Sequence, residues 1–224
     1  MSKFYVPTNG VNAWQSLLAD PVKHWKTGYS ARALAYCWEE AQGFPAEIKS
    51  LFKDTEYEGL EFLLGIPEHQ VALPGGSTKS QNDAFVLAKK DDGLVSIAIE
   101  GKVSEPFGPT LGEWLHNSST GKAVRLDYLK KQLGLNVDID PSVRYQLLHR
   151  TASAVIEAKR FNATTAIMIV HSFSQDCEWF ADYTAFLGLY EKRAEIGELV
   201  NVCTVDHIKL YLGWVKGNAK YLQA

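Results

Sequence analysis

Two apolar runs, Ala84 to Lys89 and Leu94 to Val103, separated by Asp91-Asp92-Gly93, constrain this chain more than any other feature. Runs of that length around an Asp-Gly turn signal predict a β-hairpin. If Lys90 and Gly93 flank a two-residue turn, facing residues have numbers that sum to 183. Asp83 and Glu100 also sum to 183. They are therefore expected opposite each other, with Cβ atoms roughly 4.5–5.5 Å apart. Lys102, two residues beyond Glu100, points to the same side of the strand. Ser96 and Ala98 continue that side with small groups, while Ile97, Ile99 and Val103 take the other.

Two carboxylates and a lysine on one patch of an apolar hairpin admit two readings. One is an ordinary salt bridge at a sheet edge, worth little in stability. The other is a cation site, because like charges this close repel and one carboxylate would take up a proton unless a cation lay between them. Hard oxygen ligands suit Mg²⁺, which takes one or two carboxylates and completes its shell with water and phosphate oxygens. Such an ion lowers the pKa of a bound water and stabilises charge on a phosphoryl oxygen. Lys102 would then orient that water or neutralise the developing charge.

The flanking segments supply the layers. Ser30 is expected to cap a helix over Ala31 to Ala41, with Leu34, Cys37, Trp38 and Ala41 on one stripe. Gly43 and Pro45 end it, and Ala46 to Phe52 starts another helix. Leu60 to Leu64 and Gln70 to Leu73 look like two strands, the second broken by Pro74-Gly75-Gly76. Gly112 to Leu133 is mixed, with helix expected at each end. Asp140, as cap, and Pro141 open a long helix to about Arg160, whose apolar side includes Val143, Leu147, Ala154, Val155 and Ala158. Thr164 to Val170 is a fully buried strand, Glu178 to Arg193 a helix, and Val200 to Val215 one or two strands. Helix, three-strand meander, helix and buried strand predict an α/β layered domain with a mixed sheet.

With 46% apolar residues and six Trp among 224, the chain can bury a proper core, which excludes intrinsic disorder. The formal charge of −3 excludes the whole-protein basic field common in nucleic-acid binders. Charge is unevenly placed, however. Lys122 to Arg160 holds eight Lys or Arg against four acids, and residues 37 to 70 hold eight acids against two lysines. A basic strip beside an acidic patch would suit phosphate binding, although a polar helix face gives the same pattern. Cys37, Cys177 and Cys203 form no CxxC pair, so inert thiols in a reducing compartment are expected. Met1-Ser2-Lys3-Phe4-Tyr5 does not begin a signal peptide, and no stretch nears the ~18 apolar residues of a membrane span. A cytoplasmic protein without membrane contact is expected.

Asn82-Asp83, sixteen intervening residues, then Glu100-Gly101-Lys102 resembles the motif of the PD-(D/E)XK superfamily of nucleases. Asn82 stands where that motif often has Pro. The resemblance implies a restriction-endonuclease-like core over about residues 30–173: an antiparallel meander and a following parallel strand, flanked by helices. Residues 1–29 would add an N-terminal helical segment and 174–224 a C-terminal helix and strands, all within one domain over 1–224. It further implies Mg²⁺-dependent phosphodiester hydrolysis, with Mn²⁺ able to substitute. Asp83, Glu100 and the Gly101 carbonyl would be metal ligands, and Lys102 the catalytic lysine. Many members add an acid from the first core helix, here Glu39 or Glu40, of which Glu40 lies further from the apolar stripe. The later helix often supplies polar groups, and Gln146, His149 and Arg150 share a face, Gln146 being the leading candidate.

The expected partner is nucleic acid, DNA before RNA, in restriction, repair or mobile-element defence. The alternative is a non-catalytic module that binds nucleic acid or protein on the same fold. Other constellations are weaker. His171, Ser172 and Asp176 are triad residue types without a GxSxG elbow. The segment Pro74 to Lys79 lacks P-loop spacing. Trp179, Tyr183, Tyr190, Tyr211 and Trp214 are expected in the core, though their number also leaves room for a homodimer interface.

Overall fold

A computed structural model describes residues 10–91 and 93–224. Asp92 of the turn and the segment Met1 to Tyr5 lie outside the described residues. The elements in chain order are α1 (Val11–Gln15), α2 (Pro21–His24), α3 (Ser30–Ala41), α4 (Ala46–Phe52), β1 (Glu61–Val71), β2 (Ser80–Lys90) and β3 (Gly93–Lys102). Then come α5 (Leu111–Leu115), α6 (Thr120–Leu133), α7 (Tyr145–Phe161), β4 (Thr165–Ser172), α8 (Phe180–Gly188), β5 (Leu199–Val205), β6 (Ile208–Lys216) and a closing 3-10 helix (Ala219–Gln223).

The six strands form one mixed sheet in the order β1-β2-β3-β4-β6-β5. β1, β2 and β3 are an antiparallel meander, β4 runs parallel to both β3 and β6, and β5 returns antiparallel to β6. The β2–β3 register is the one the turn predicts: Lys90 faces Gly93 and Ala84 faces Ile99, each pair summing to 183. Asp91 takes a positive φ of 51°, the conformation a two-residue hairpin turn needs.

Each face of the sheet carries its own apolar layer. Ile97, Ile99, Ile167 and Ile169 pack with Leu34, Cys37 and Trp38 of α3 and Ile48 and Leu51 of α4. Ala98, Met168 and Val170 pack with Leu147, Ala154, Val155 and Ala158 of α7 and with α6 and α8. Alternation along β3 therefore feeds two different cores, which is why the strand reads as almost unbroken apolar sequence. Trp214, Tyr183 and Tyr211 are buried, and Trp179 and Tyr190 pack partly buried against the α7 layer, so the C-terminal aromatics are core. No helix among the described residues is long and apolar enough to cross a membrane.

Several boundaries differ from expectation. The two short strands before the hairpin are one strand, β1, with a register shift between Phe62 and Leu64. β1 tolerates Pro67 because it lies at the sheet edge, where a missing N–H costs no ladder bond. Ser30 does not cap α3 with its side chain; its own N–H is taken by the Glu105 carboxylate at 3.1 Å. The long helix begins at Tyr145, not Pro141. Asp140 accepts instead from the Ser142 N–H, and the Pro141 and Val143 carbonyls accept from Gly112 and Leu111 at the start of α5, so that stretch is held as a turn. The helix expected over Glu178 to Arg193 is only Phe180–Gly188, and Glu191 beyond it is left-handed.

Candidate active site

The motif residues sit where the β2–β3 ladder ends. Beyond Ala84 and Ile99 the main chains stop pairing, and the Asp83 side chain takes over: its Oδ2 accepts the Gly101 N–H at 2.7 Å. In an antiparallel strand a residue's N–H and C=O face the same edge, so the Gly101 carbonyl lies on the Asp83 side. A Cβ on Gly101 would come within 3.2 Å of that Asp83 oxygen and 3.5 Å of Leu34 and Ser30, so a side chain there would crowd both.

Glu100 is 1% exposed and Lys102 3%. Lys102 Nζ lies 2.5 Å from Glu100 Oε1 and 4.9 Å from the centroid of the buried Phe107 ring. Arg150 of α7 reaches the other carboxylate oxygen, Nε to Oε2, also at 2.5 Å. Burial alone would raise the Glu100 pKa, but Arg150 and Lys102 outweigh it and hold Glu100 below its ordinary value.

β1 adds a third acid that the sequence reading missed. Pro67 faces Ala84 and His69 faces Asn82, each pair summing to 151, so Glu68 falls across from Asp83. Glu68, Asp83 and Glu100 therefore form a row across three adjacent strands. Glu68 is left-handed, with φ 52°, and its Oε2 accepts from Gln81 Nε2 at 2.7 Å. Both cations in this cluster are committed to Glu100; among the described residues neither Glu68 nor Asp83 has an ion-pair partner. Burial, with Asp83 next in weight, pushes Glu68 up to about 9. Burial and then Glu100 push Asp83 up to about 7. Two carboxylates that burial holds towards neutrality, beside an ionised third, are a donor set that fits a hard divalent ion.

The row forms part of a cleft of about 500 Å³. Gln146, Arg150, Lys23, His24 and Tyr29 line it as well. Gln146 Oε1 is buried without a partner among the described residues. His149 lies off the cleft; its Nδ1 meets Ser80 Oγ at 2.8 Å, and burial and then the nearby Arg150 hold its pKa well below the ordinary value. Glu40 is not brought to the row: it is exposed and pairs with Lys220 at 2.5 Å, because it sits on the solvent side of α3 near its C-terminal end. Glu39 turns to Trp14 Nε1 at 2.8 Å. The basic strip does not form one phosphate-binding face either. Lys122, Arg125, Arg144 and Lys159 are spent on Trp114, Pro74, Asp182 and Asp206, and only Arg150 of the strip lines the cleft.

A second polar cluster lies under α3. Cys37, Glu47 and His171 bring ligand atoms within 4.8 Å of one another. Trp38 Nε1 donates to His171 Nδ1 at 3.2 Å, and Trp can only donate. Nδ1 must therefore be the bare nitrogen, leaving the proton on Nε2, which points at Glu47 Oε1 2.8 Å away. An ion at Nε2 would need the opposite tautomer and would cost the Trp38 bond. Burial and Glu47 also raise the Cys37 pKa, keeping the thiol protonated. The cluster is a hydrogen-bonded clamp between α3, α4 and β4. It also rules out a triad at His171, since both ring nitrogens are occupied and Asp176 is exposed.

No curated protein and no solved structure matches the chain. Residues 7–219 match a domain of unknown function, DUF6946, and the chain belongs to that family.

Proposed function

We propose that this protein is a Mg²⁺-dependent nuclease that hydrolyses phosphodiester bonds, with a restriction-endonuclease-like core of the PD-(D/E)XK kind. The observation that carries the reading is the row Glu68, Asp83 and Glu100 with Lys102 beside it, at a cleft on the open end of the meander. The element order supports it: helix α3, the meander β1–β3, helix α7 and the parallel strand β4. Asp83, Glu100 and Glu68 would hold the ion, with the Gly101 carbonyl on the same side. When bound, Mg²⁺ supplies a water of lowered pKa and charge stabilisation at the phosphoryl group.

The chain's own groups account for the remaining chemistry. Hydrolysis forms a bond from water oxygen to phosphorus, breaks one phosphorus–ester oxygen bond and delivers a proton to the leaving oxygen. Lys102, buried and fixed by Glu100 and Phe107, holds an ammonium where a phosphoryl oxygen gains charge. Arg150 keeps Glu100 ionised and adds positive charge at the cleft. Gln146 lines the cleft, where its side-chain amide can meet a water, sugar or base.

The paired cations on Glu100 also admit a non-catalytic module in which those ion pairs are permanent. One experiment separates the two readings. Purified protein is incubated with DNA and RNA in Mg²⁺ or Mn²⁺, beside Lys102→Ala and an EDTA control. Cleavage that disappears in the folded variant and in EDTA supports the nuclease. No cleavage of any substrate, together with no heat of metal binding by calorimetry, overturns it.

A further inference from the structure

The shape of the cleft restricts what can reach Lys102. Glu100 and Lys102 are almost fully buried, and the cleft has the volume of a site for a drug-sized molecule, not for a length of double helix. Leu18, Ala19, Lys23 and His24 line it from the segment that follows Trp14, which is 2% exposed in the α3 layer. Pro106 and Gly108 also line it. A continuous duplex presents its phosphates on a wide cylinder and is gripped by many Lys and Arg at once. Here the lining offers only Lys23, His24, Lys102 and Arg150, and the last two already serve Glu100.

Two further features suit an unpaired strand. Tyr29 lines the cleft and is 41% exposed, and Lys26 Nζ lies 5.7 Å from its ring centroid. An exposed aromatic ring beside a cation is what single-strand binders use to stack a base and hold its phosphate. A side cavity of about 240 Å³ adjoins the cleft across Gln81, Gly108, Gln146 and Arg150 and adds Lys79 and His149. It gives the neighbouring nucleotide a place, with Gln146 in the lining of both cavities.

Resting on the nuclease reading, we propose that the substrate enters as a single strand, with one base stacked on Tyr29, the scissile phosphate at Lys102 and the next nucleotide in the Lys79–His149 cavity. A base stacked on Tyr29 has left any duplex stack, which an unpaired strand does at lower cost than a paired one.

The test reads binding separately from cleavage. A labelled single-stranded oligonucleotide and its blunt duplex are titrated with the protein in Ca²⁺ in place of Mg²⁺, using fluorescence anisotropy, with DNA and RNA arms. The single strand should bind at least tenfold more tightly than the duplex. Tyr29→Ala should weaken single-strand binding by about fivefold or more, the loss of one stacked base, while Tyr29→Phe retains it. In Mg²⁺, single strands and unpaired flaps should be cut and covalently closed duplex spared. Equal binding of duplex and single strand, or a Tyr29→Ala variant that binds like the native protein, overturns the inference even if cleavage is robust. Selective, Tyr29-dependent single-strand binding without any cleavage upholds it while defeating the nuclease reading.

Discussion

Glu68→Gln should make the metal-free protein more stable at neutral pH, and the size of the gain follows from the structure. In the folded chain Glu68 is pushed from 4.5 up to about 9 by burial and by the neighbouring Asp83. Between those values the folded state keeps a proton that the unfolded chain releases, so stability is full below pH 4.5 and falls as pH rises towards 9. At pH 7, 2.5 pH units above 4.5, this sets an upper limit of about 3 kcal/mol at about 1.4 kcal/mol per unit. Because solvent reaches part of the side chain, about 2 kcal/mol is the working figure. Glutamine copies the shape of the protonated acid and can still accept from Gln81, which donates to Glu68 at 2.7 Å. For a chain of this size about 2 kcal/mol corresponds to a Tm rise of roughly 4–8 °C. Thermal unfolding in EDTA from pH 5 to 9 measures it: the gain of the variant over the native protein should be small at pH 5 and grow with pH. Adding Mg²⁺ should then stabilise the native protein more than the variant, since one of the three carboxylates is gone. A variant that is less stable than the native protein at pH 8 in EDTA, or whose advantage is the same at pH 5 and pH 9, would refute the argument.

Trp38→Phe should cost about 1–3 kcal/mol in urea unfolding, because it leaves buried His171 Nδ1 without its donor. Zn²⁺ should leave the native melting temperature unchanged if the Cys37, Glu47 and His171 cluster is the clamp its hydrogen bonds describe. Gly75→Ala should destabilise by about 3 kcal/mol or more, combining a left-handed backbone with steric overlap. Its φ is +81° and the added Cβ would meet the Gly121 carbonyl oxygen at 2.0 Å, so the junction before β2 should loosen, as read by proteolysis near Gly75.

The centre of the candidate site was legible because it is local. A two-residue turn and the period-2 geometry of strands set which residues face each other, so Asp83, Glu100 and Lys102 could be placed by counting from Gly93. The buried faces of α3 and α7 were legible for the same kind of reason, a 3.6-residue period in apolar positions.

Glu68 could not be counted in this way. Residues 72–79 join β1 to β2 without a tight turn from which a register can be counted, so only the assembled edge of the sheet brings Glu68 across from Asp83. Arg150 belongs to a helix that begins four residues later than Pro141 suggested, and its reach to Glu100 depends on how α7 lies over β3. Glu40 failed for the converse reason. A helix period separates apolar from polar positions but does not say which polar position faces a site and which faces water, and packing against the closing 3-10 helix gave Glu40 to Lys220. The sequence by itself determined the hairpin and its three charged groups. Tertiary packing decided which distant acid and cation complete them, because those contacts depend on register and docking between segments that no local period links.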